Sequence, residues 1–250
     1  MDKIDIIIPT WNNSQLTLKC LTSLCAFTAC PYRVIWVDNG SEQSEYKLVN
    51  NRLKELNIEF KSIVFDKNLG PTKAFNAGMR ESKSSYLVLM NNDTFVTGRW
   101  LSKLTEILEA HPDIGLICPV TDNISCAARS TRLATILNLS VKGPPAMYFN
   151  SRPSGFFEVR SNVSFFCVVI RREVIDKIGL LCEELKFFGS DDDYNDRVRL
   201  AGFKTAIATN CFVYHTHRAT VKNLSASDLR VAKTSRPILN RRRKERARRL

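Results

Sequence analysis

Apolar runs alternate with segments of helical periodicity through the first 120 residues of the chain. The strand-like runs lie at residues 4–9, 33–37, 58–65, 86–90 and 114–120. Between them, apolar residues recur three and four positions apart, as Leu16, Cys20 and Leu24 do, which predicts amphipathic helices. Strands that alternate with helices favour a parallel sheet with right-handed crossovers. The pattern therefore predicts an α/β fold with a mostly parallel sheet flanked by helices.

The alternation stops near residue 121 and resumes near residue 164. The stretch 121–162 is rich in Ser, Thr, Pro, Gly and Asn, and so long a loop in a compact domain is usually functional or disordered. Strand-like runs follow at 164–170 and 205–214, with helical patterns at 172–178 and 192–201. We expect one domain over residues 1–217, made of the halves 1–120 and 121–217, followed by a tail over 218–250.

The net charge of +12 is concentrated at the C-terminal end. Residues 218–250 contain twelve Lys and Arg against two acidic residues, a net charge of +10, whereas residues 1–217 carry only +2. Blocks of like charge repel and usually stay unfolded, so we first expect a solvated, disordered tail. Adhesion to an anionic membrane is the second interpretation. Nucleic-acid binding is the third, because the tail lacks interleaved aromatic residues that stack on bases.

Cysteine usage and hydropathy bear on the compartment. The eight cysteines form no CxxC pair and no Cys/His zinc spacing, which favours buried, reduced thiols. No stretch is long and apolar enough to span a bilayer, and Met1 leads straight into the first strand without a signal peptide. We therefore expect a cytoplasmic protein, which the tail would hold to the cytoplasmic face of a membrane in the second interpretation.

Four predicted strands each end in a polar cluster, at residues 9–12, 38–41, 66–70 and 91–93. One such cluster is explained by a turn, since Asn, Asp and Gly supply the backbone geometry of turns. Ligands of open α/β sheets, however, bind at the carboxyl ends of the strands. Four clusters on that edge predict a crevice with hydrogen-bond partners for a base and a ribose, and a carboxylate for a cation.

Asp93 follows the apolar run 86–90 directly, and a nucleotide diphosphate would explain a cation there. Mg²⁺ or Mn²⁺ typically binds through one or two carboxylates plus phosphate oxygens. Asp93 suits that role, with Asn91 as a neutral neighbour, and Lys73 would face a phosphate or sugar unless it is a solvated surface lysine. The chain has neither GxGxxG nor GxxxxGK[ST], which argues against a Rossmann dehydrogenase or a P-loop NTPase.

Two further polar groups lie late in the chain. Residues 187–197 place two phenylalanines before three consecutive aspartates. A helix N-terminus favours carboxylates, and Asp193 can pair with Arg197 four residues later, so part of this cluster has a purely structural explanation. The same residues also fit a general base at a pocket wall. His215 ends the last strand and would complete a metal site, although a hydrogen-bonded surface histidine is the alternative.

With these residues in view, residues 3–217 resemble the family 2 inverting glycosyltransferases, which have the GT-A fold. Residues 68–78 are similar to the family's N-x-G-x-x-x-A-x-N-x-G segment, the most specific match. The run 5–12 resembles its first strand and nucleotide-contacting turn, and 37–41 resembles its base-binding strand end.

The resemblance continues into the later part of the chain. Residues 91–93 stand where the family has its Asp-x-Asp metal motif, although Asn91 replaces the first Asp. Residues 166–180 match the run that precedes the acceptor site. Asp191 and the following residues fit the pattern E-D-x-D-x-x-x-R-x-x-x-x-G, with Ser190 in place of the first acid. Metal dependence is the property that these two departures affect most.

The resemblance implies a nucleotide-sugar donor linked to UDP, dTDP or GDP, and a glycan or lipid-linked acceptor selected by residues 121–162. Asp191 would be the base that takes a proton from the acceptor hydroxyl in one inverting displacement. Asp93 would hold a divalent metal, Mg²⁺ or Mn²⁺, on the diphosphate, and His215 is the second candidate ligand. The expected donor-binding residues are Pro9, Thr10, Asn12, Asp38, Asn68, Gly70, Lys73, Asn76, Asn91, Asn92 and Asp93.

Three alternatives to a glycosyltransferase remain open at this point. A nucleotidyltransferase shares the βαβ start and a metal aspartate, but normally needs a glycine-rich, basic loop that residues 9–16 lack. A non-catalytic module would keep the donor pocket without turning the sugar over. A nucleic-acid binder would act through the tail.

Overall fold

The structure is a computed structural model that describes residues 2–122, 128, 132–133, 139–140, 142–216 and 226–248. Its strands are β1 (Ile4–Thr10), β2 (Tyr32–Asp38), β3 (Phe60–Val64), β4 (Tyr86–Met90), β5 (Thr94–Phe95), β6 (Ile114–Val120), β7 (Phe156–Glu158), β8 (Cys167–Arg171), β9 (Lys204–Phe212) and β10 (Tyr214–His215). Its helices are α1 (Ser14–Phe27), α2 (Gln43–Glu55), α3 (Pro71–Glu81), α4 (Trp100–Ala110), α5 (Pro145–Asn150), α6 (Arg172–Ile178), α7 (Ser190–Leu200), α8 (Ala226–Lys233) and α9 (Ser235–Ala247).

An eight-stranded sheet with the order β3-β2-β1-β4-β8-β6-β9-β7 forms the centre of the molecule, and β5 and β10 form a separate pair. Strands β1, β2, β3 and β4 run parallel to their neighbours in that set, as do β6 and β9. The central strands are buried along most of their length, which explains why they read as continuous apolar runs in the sequence. The predicted α/β class with a mostly parallel sheet is therefore confirmed.

Strand β8 departs from the predicted parallel pattern. It runs antiparallel to both β4 and β6, and β7 runs antiparallel to β9. Periodicity along the chain reports burial but not strand direction, so the sequence offered no signal for this reversal. As a result, β8 joins the earlier and later parts of the chain in one sheet.

The predicted loop over 121–162 is partly structured where the structure describes it. It contains α5 and β7, and β7 pairs with β9 at the edge of the sheet. Both elements are short, which is why neither shows a full period of apolar positions. Within this segment, residues 123–127, 129–131, 134–138 and 141 lie outside the described residues, as do residues 217–225.

The expectation of a disordered tail is wrong for residues 226–248. This part of the chain forms α8 and α9, and α9 packs against α7. Arginines of α9 pair with the acidic residues of α7, so charges that repel within the tail are neutralised in the folded molecule. Within the described part of the chain, no helix is both long and apolar enough to cross a membrane.

Candidate active site

The sheet order places a topological switch point at the carboxyl end of β1. This strand lies between β2 on one side and β4 on the other, so the chain reverses direction across the sheet at this point. Ligands of open α/β sheets bind at such a switch point. The polar clusters at 9–12, 38–41 and 91–93 all follow strands that end here, as the sequence predicts.

The clusters after the first three strands are hydrogen-bonded to one another. The backbone N–H of Asn12 donates to Ser41 Oγ at 2.9 Å, and Asn12 Oδ1 accepts from the backbone N–H of Glu42, also at 2.9 Å. Asn39 Nδ2 donates to Asn68 Oδ1 at 2.9 Å. These bonds hold three loops in one fixed wall, which pre-organises that side of the crevice for a ligand.

Asp38 lies at the base of this wall and is only 2% exposed. Its Oδ2 accepts the backbone N–H of Ser41 at 3.2 Å, whereas its Oδ1 is buried without a hydrogen-bond partner among the described residues. A buried carboxylate oxygen without a partner is costly. A ligand N–H group, such as that of a nucleobase, would supply the missing bond.

Thr10 and Pro9 form the neighbouring part of the crevice. Thr10 is buried at the end of β1, and its hydroxyl oxygen accepts the indole N–H of Trp36 at 2.8 Å. Its carbonyl accepts the backbone N–H of Asn39 at 2.8 Å. Pro9 is partly buried in the same strand. Both residues therefore shape the strand end at which Asp38 lies.

Asp93 and His215 come together through a short antiparallel pairing. Strand β5 begins next to Asp93 and pairs with β10, with His215 opposite Thr94. His215 Nε2 lies 3.2 Å from Asp93 Oδ1 and 3.3 Å from Asn91 Nδ2, and both Asp93 and His215 are buried. Residues separated by more than 120 positions in sequence thus form one polar group at the end of β4.

This group fits a divalent cation bound together with a diphosphate. A carboxylate oxygen and an imidazole nitrogen face each other, and a half-turn of the Asn91 amide would present its oxygen beside them. Among the described residues, no three His, Cys, Asp or Glu side chains are grouped to hold a metal. Mg²⁺ and Mn²⁺ commonly complete such a partial set with phosphate oxygens and water.

Asp191 lies in the first turn of α7 and is partly buried. Its Oδ1 accepts the backbone N–H of Asp192 at 3.0 Å, and the backbone of Phe165 lies close enough to favour the ionised form of its carboxylate. Burial, reinforced by the adjacent carboxylate of Asp192, raises the pKa of Asp191 to about 6. A carboxylate with a raised pKa at the edge of a crevice has the properties of a general base.

Two consecutive residues before β8 join Asp191 to the group at the end of β4. The backbone of Phe165 lies beside the Asp191 carboxylate, while the carbonyl of Phe166 accepts the backbone N–H of Asn91 at 2.8 Å. The Phe166 ring also lies 5.2 Å from the His215 ring, measured between centroids. Sequence reasoning missed this connection, because an aromatic pair before a strand is indistinguishable from ordinary core residues.

Helix α3 contributes residues with different surroundings. Gly70 caps the helix with φ of +88°, and a Cβ there would lie 2.5 Å from the Lys186 side chain, so glycine is required. Lys73 is exposed one turn later. The Asn76 amide is fully engaged in holding the 181–183 segment, through bonds to Leu181 at 2.9 Å and to Glu183 at 3.0 Å.

Two other predicted donor-binding amides also bond within the protein. Asn92 Nδ2 donates to Thr17 Oγ1 at 2.9 Å, which fixes the loop after β4 to α1. Asn68 Oδ1 accepts the backbone N–H of Gly70 at 2.9 Å in addition to the Asn39 amide. Direct contact between a donor and Asn68, Asn76 or Asn92 thus stays a prediction, whereas their hydrogen bonds within the protein are observed.

Known proteins share both the sequence pattern and the fold. Residues 5–179, more than half of the chain, match the family model described as glycosyl transferase family 2. The chain is 29% identical to a chondroitin synthase of Escherichia coli over 122 residues, which is 48% of this chain and 17% of that protein. It spans less than two thirds of the length of the relatives that it matches in this way.

Solved structures agree in fold at low sequence identity. The mannosyltransferase PcManGT of Pyrobaculum calidifontis, solved with GDP-Man and Mn²⁺, superimposes with a TM-score of 0.65 at 15% identity over 85% of this chain and 56% of its own. Staphylococcus aureus TarS 1–349, solved with UDP-GlcNAc, gives a TM-score of 0.65 at 14% identity over 90% of this chain and 62% of its own. The fold is thus that of the GT-A glycosyltransferases, and the chain belongs to glycosyl transferase family 2.

Proposed function

We propose that this protein is an inverting glycosyltransferase that moves a sugar from a nucleotide diphosphate to a hydroxyl of a glycan or lipid-linked acceptor. The observation that supports this most is the link through Phe165 and Phe166. The backbone of Phe165 lies beside the candidate base Asp191, and Phe166 contacts Asn91 and His215 of the candidate metal group, which supports a close approach of the two. A base and a leaving-group site on either side of a crevice are the parts that a single displacement needs.

The nucleoside would bind at the ends of β1 and β2. Asp38 Oδ1 is a buried acceptor without a hydrogen-bond partner among the described residues. Uracil, thymine and guanine each carry an N–H group on their pairing edge that could donate to it. Thr10 and Asn12 line the same wall, and Lys73 on α3 would face the phosphates or the sugar. The family neighbours solved with GDP-Man and with UDP-GlcNAc leave both base classes as candidates.

Asp93 and His215 would hold the divalent metal, Mg²⁺ or Mn²⁺, with Asn91 beside them. When bound, the metal would supply Lewis-acid stabilisation of charge on the departing diphosphate. The two residues are buried and face each other at 3.2 Å, so the protein contributes a small, fixed set of ligands. Asn91 in place of a second carboxylate leaves this set with less negative charge than an Asp-x-Asp pair would have.

Asp191 would remove the proton of the acceptor hydroxyl. The hydroxyl oxygen attacks the anomeric carbon as the bond to the diphosphate oxygen breaks on the opposite face, the electron pair leaves with the diphosphate, and the proton moves to Asp191. One displacement inverts the anomeric configuration. Phe188 is 43% exposed just before α7 and offers an aromatic face to an acceptor ring.

Binding of the donor is the first test. The melting temperature would be measured with UDP-, dTDP- and GDP-linked hexoses, with and without Mn²⁺ or Mg²⁺, because binding to the native state raises it by mass action. We expect a metal-dependent shift with one nucleotide class, lost in Asp93→Asn and kept in the control Asp176→Asn, an exposed acid of α6. No shift with any donor in either metal would contradict the proposal.

Transfer is the second test, and it separates the enzyme from a non-catalytic module. Nucleoside diphosphate release would be measured with a panel of soluble glycans, and the product configuration by NMR. We expect Asp191→Asn to keep donor binding and to lower the transfer rate about 10²- to 10⁴-fold, the usual contribution of a general base. Donor binding without transfer in the wild type would favour the binding module, and retention of configuration would exclude the inverting mechanism.

A further inference from the structure

Helix α9 lies directly against the part of α7 that carries Asp191. Leu239 of α9 is buried, and its Cδ2 lies 3.9 Å from where a Cβ of Gly189 would be. Gly189 is the residue on which α7 begins, with φ of +81°. The contact between α9 and α7 is therefore at the N-terminal turn, two residues from Asp191.

The strongest contact of α9 is made with Asp193, which is fully buried. Asp193 Oδ1 accepts Arg242 Nε at 2.9 Å and a terminal guanidinium nitrogen of Arg246 at 2.6 Å, while Oδ2 accepts Arg197 Nε at 2.9 Å. Although burial acts in the opposite direction, the hydrogen bonds from Arg242 and Arg246 hold the pKa of Asp193 below its usual value. The carboxylate is thus ionised and bound by three guanidinium groups.

The same arginine of α7 extends this network to the next loop. Arg197 donates to the carbonyl of Ile178 at 2.6 Å and to the carbonyl of Leu180 at 2.8 Å. Two bonds from Arg243 and Arg246 to Asp196 Oδ2, at 2.7 and 3.4 Å, add a second attachment one turn along α7. Helix α7 is therefore fixed from one side by the 178–180 loop and from the other by α9.

We infer that Arg242 and Arg246 are positioning residues for the proposed base, so this inference rests on the proposed function. They fix the Asp193 carboxylate and with it the first turn of α7, whose backbone sets the direction of the Asp191 carboxylate. Neither arginine contacts the reacting atoms. The basic C-terminal helix thus belongs to the catalytic unit, and its contribution is to the orientation of Asp191 rather than to donor binding.

The test compares two double variants of α9 with the same loss of charge. Arg242→Met/Arg246→Met removes the contacts to Asp193, whereas the control Arg236→Met/Arg248→Met replaces two exposed arginines, one in α9 and one at its C-cap. Below the melting temperature of all variants, we expect the first to lower kcat for transfer to a soluble acceptor about tenfold or more, with donor Kd unchanged. The control should keep both values.

Two further variants separate positioning from loss of the fold. Arg242→Lys/Arg246→Lys keeps the charges and should recover part of kcat. In an Asp191→Asn background, Arg242→Met/Arg246→Met should cause no additional loss, because the base it positions is already gone. An unchanged kcat in the first variant, or a full additional loss in the Asp191→Asn background, would overturn the inference. Failure of the wild type to transfer would instead count against the proposed function.

Discussion

Two aspartates of one helical turn have opposite electrostatic surroundings. Burial and the adjacent Asp192 raise the pKa of Asp191 to about 6, whereas guanidinium groups lower the pKa of Asp193. Pairs of carboxylates whose surroundings move their pKa values apart commonly have separate roles. Here Asp191 is the proposed base, whereas Asp193 binds two arginines of α9.

The pH dependence of transfer follows from the raised pKa of Asp191. The base acts when it is ionised, so kcat/KM should rise with pH through about 6 and then level off. The measurement is kcat/KM for a soluble acceptor at fixed metal concentration. The pH would run from about 4.5 to about 8, which begins near the ordinary pKa of a carboxyl group and extends beyond the raised one. The residual activity of Asp191→Asn should lack this rise. A wild-type profile without an inflection near pH 6 would argue against Asp191 as the base.

Stability should change in the opposite sense from activity at this position. The unfolded chain ionises Asp191 near 3.8 and the native state near 6, so stability falls as pH rises through that interval and the full penalty remains above it. Asp191→Asn removes the penalty. We therefore expect the variant to melt above the wild type at pH 7.5, with the difference vanishing near pH 3.5.

The matched control for this stability effect is Asp176→Asn, in which an exposed acid loses its charge. Its melting temperature should follow that of the wild type at both pH values, because Asp176 is exposed and its replacement removes no buried carboxylate. Asp193 is unchanged in the wild type and in both variants. An Asp191→Asn variant that melts below the wild type at pH 7.5 would show that the ionised carboxylate stabilises the fold.

At the scale of elements, close packing of α3 on the sheet depends on one glycine. A Cβ at Gly78 would lie 2.3 Å from Ile7 Cγ2 in β1, where no side chain atom can be placed without a shift. Ile7 is β-branched and fully buried in a central strand, so it cannot easily move. The helix and the strand approach each other more closely here than a larger residue would allow.

We expect Gly78→Ala to destabilise the protein, although alanine is the better helix former. The propensity gain is about 1 kcal/mol, whereas overpacking of a core costs about 1–3 kcal/mol. The melting temperature should therefore fall by a few degrees in calorimetry. Gly98→Ala is the control, because a Cβ at Gly98 would meet nothing within 4 Å. A rise in melting temperature for Gly78→Ala would mean that Ile7 in β1 shifts enough to accommodate the added methyl group.

Periodicity and turn residues were sufficient to predict most elements of the fold. Helix α6 occupies 172–178 as predicted, and the run 86–90 is β4. Strand direction and the packing of the tail were not predicted, since both depend on residues far apart in sequence. Charge repulsion within 218–250 favoured a disordered tail. The arginines of α9 instead pair with acidic residues of α7, which the sequence pattern of the tail does not show.

The candidate site was predictable where its residues follow strand ends. Asp38 and Asp93 lie at the predicted edge, and His215 lies beside Asp93. The roles of Phe165 and of Arg242 were not predictable, because an apolar residue before a strand and an arginine in a basic run are common in any chain. What distinguishes them is their contact with Asp191 and with Asp193.

At the scale of the whole molecule, the net positive charge is concentrated near the C-terminal end of the chain. Residues 226–248 carry nine Lys and Arg against two acids and no aromatic residue. Helix α9 uses Arg242, Arg243 and Arg246 on α7, while Arg236 and Lys244 are exposed. We propose that this outer surface binds anionic lipid headgroups.

We expect binding to vesicles that contain phosphatidylglycerol and none to vesicles of phosphatidylcholine alone, measured by co-sedimentation. Each basic residue near the surface contributes about 1 kcal/mol, so removing three should weaken binding about a hundredfold. The variant carries Gln at Lys233, Arg236 and Lys244. Its control carries Gln at Lys19, Lys47 and Lys54, which are exposed on α1 and α2. Equal weakening in both, or preference for RNA over the vesicles, would contradict a membrane surface.

The antiparallel strand β8 has a consequence for the order in which the molecule assembles. It is the strand that pairs with both β4 and β6, although these lie in the first 120 residues and β8 ends at Arg171. A nascent chain that ends near residue 120 therefore holds the set β3-β2-β1-β4, with an open edge at β4, and the single strand β6. Open apolar edges invite pairing with other chains. The open edge of β4 is therefore covered only once the chain has been made as far as β8.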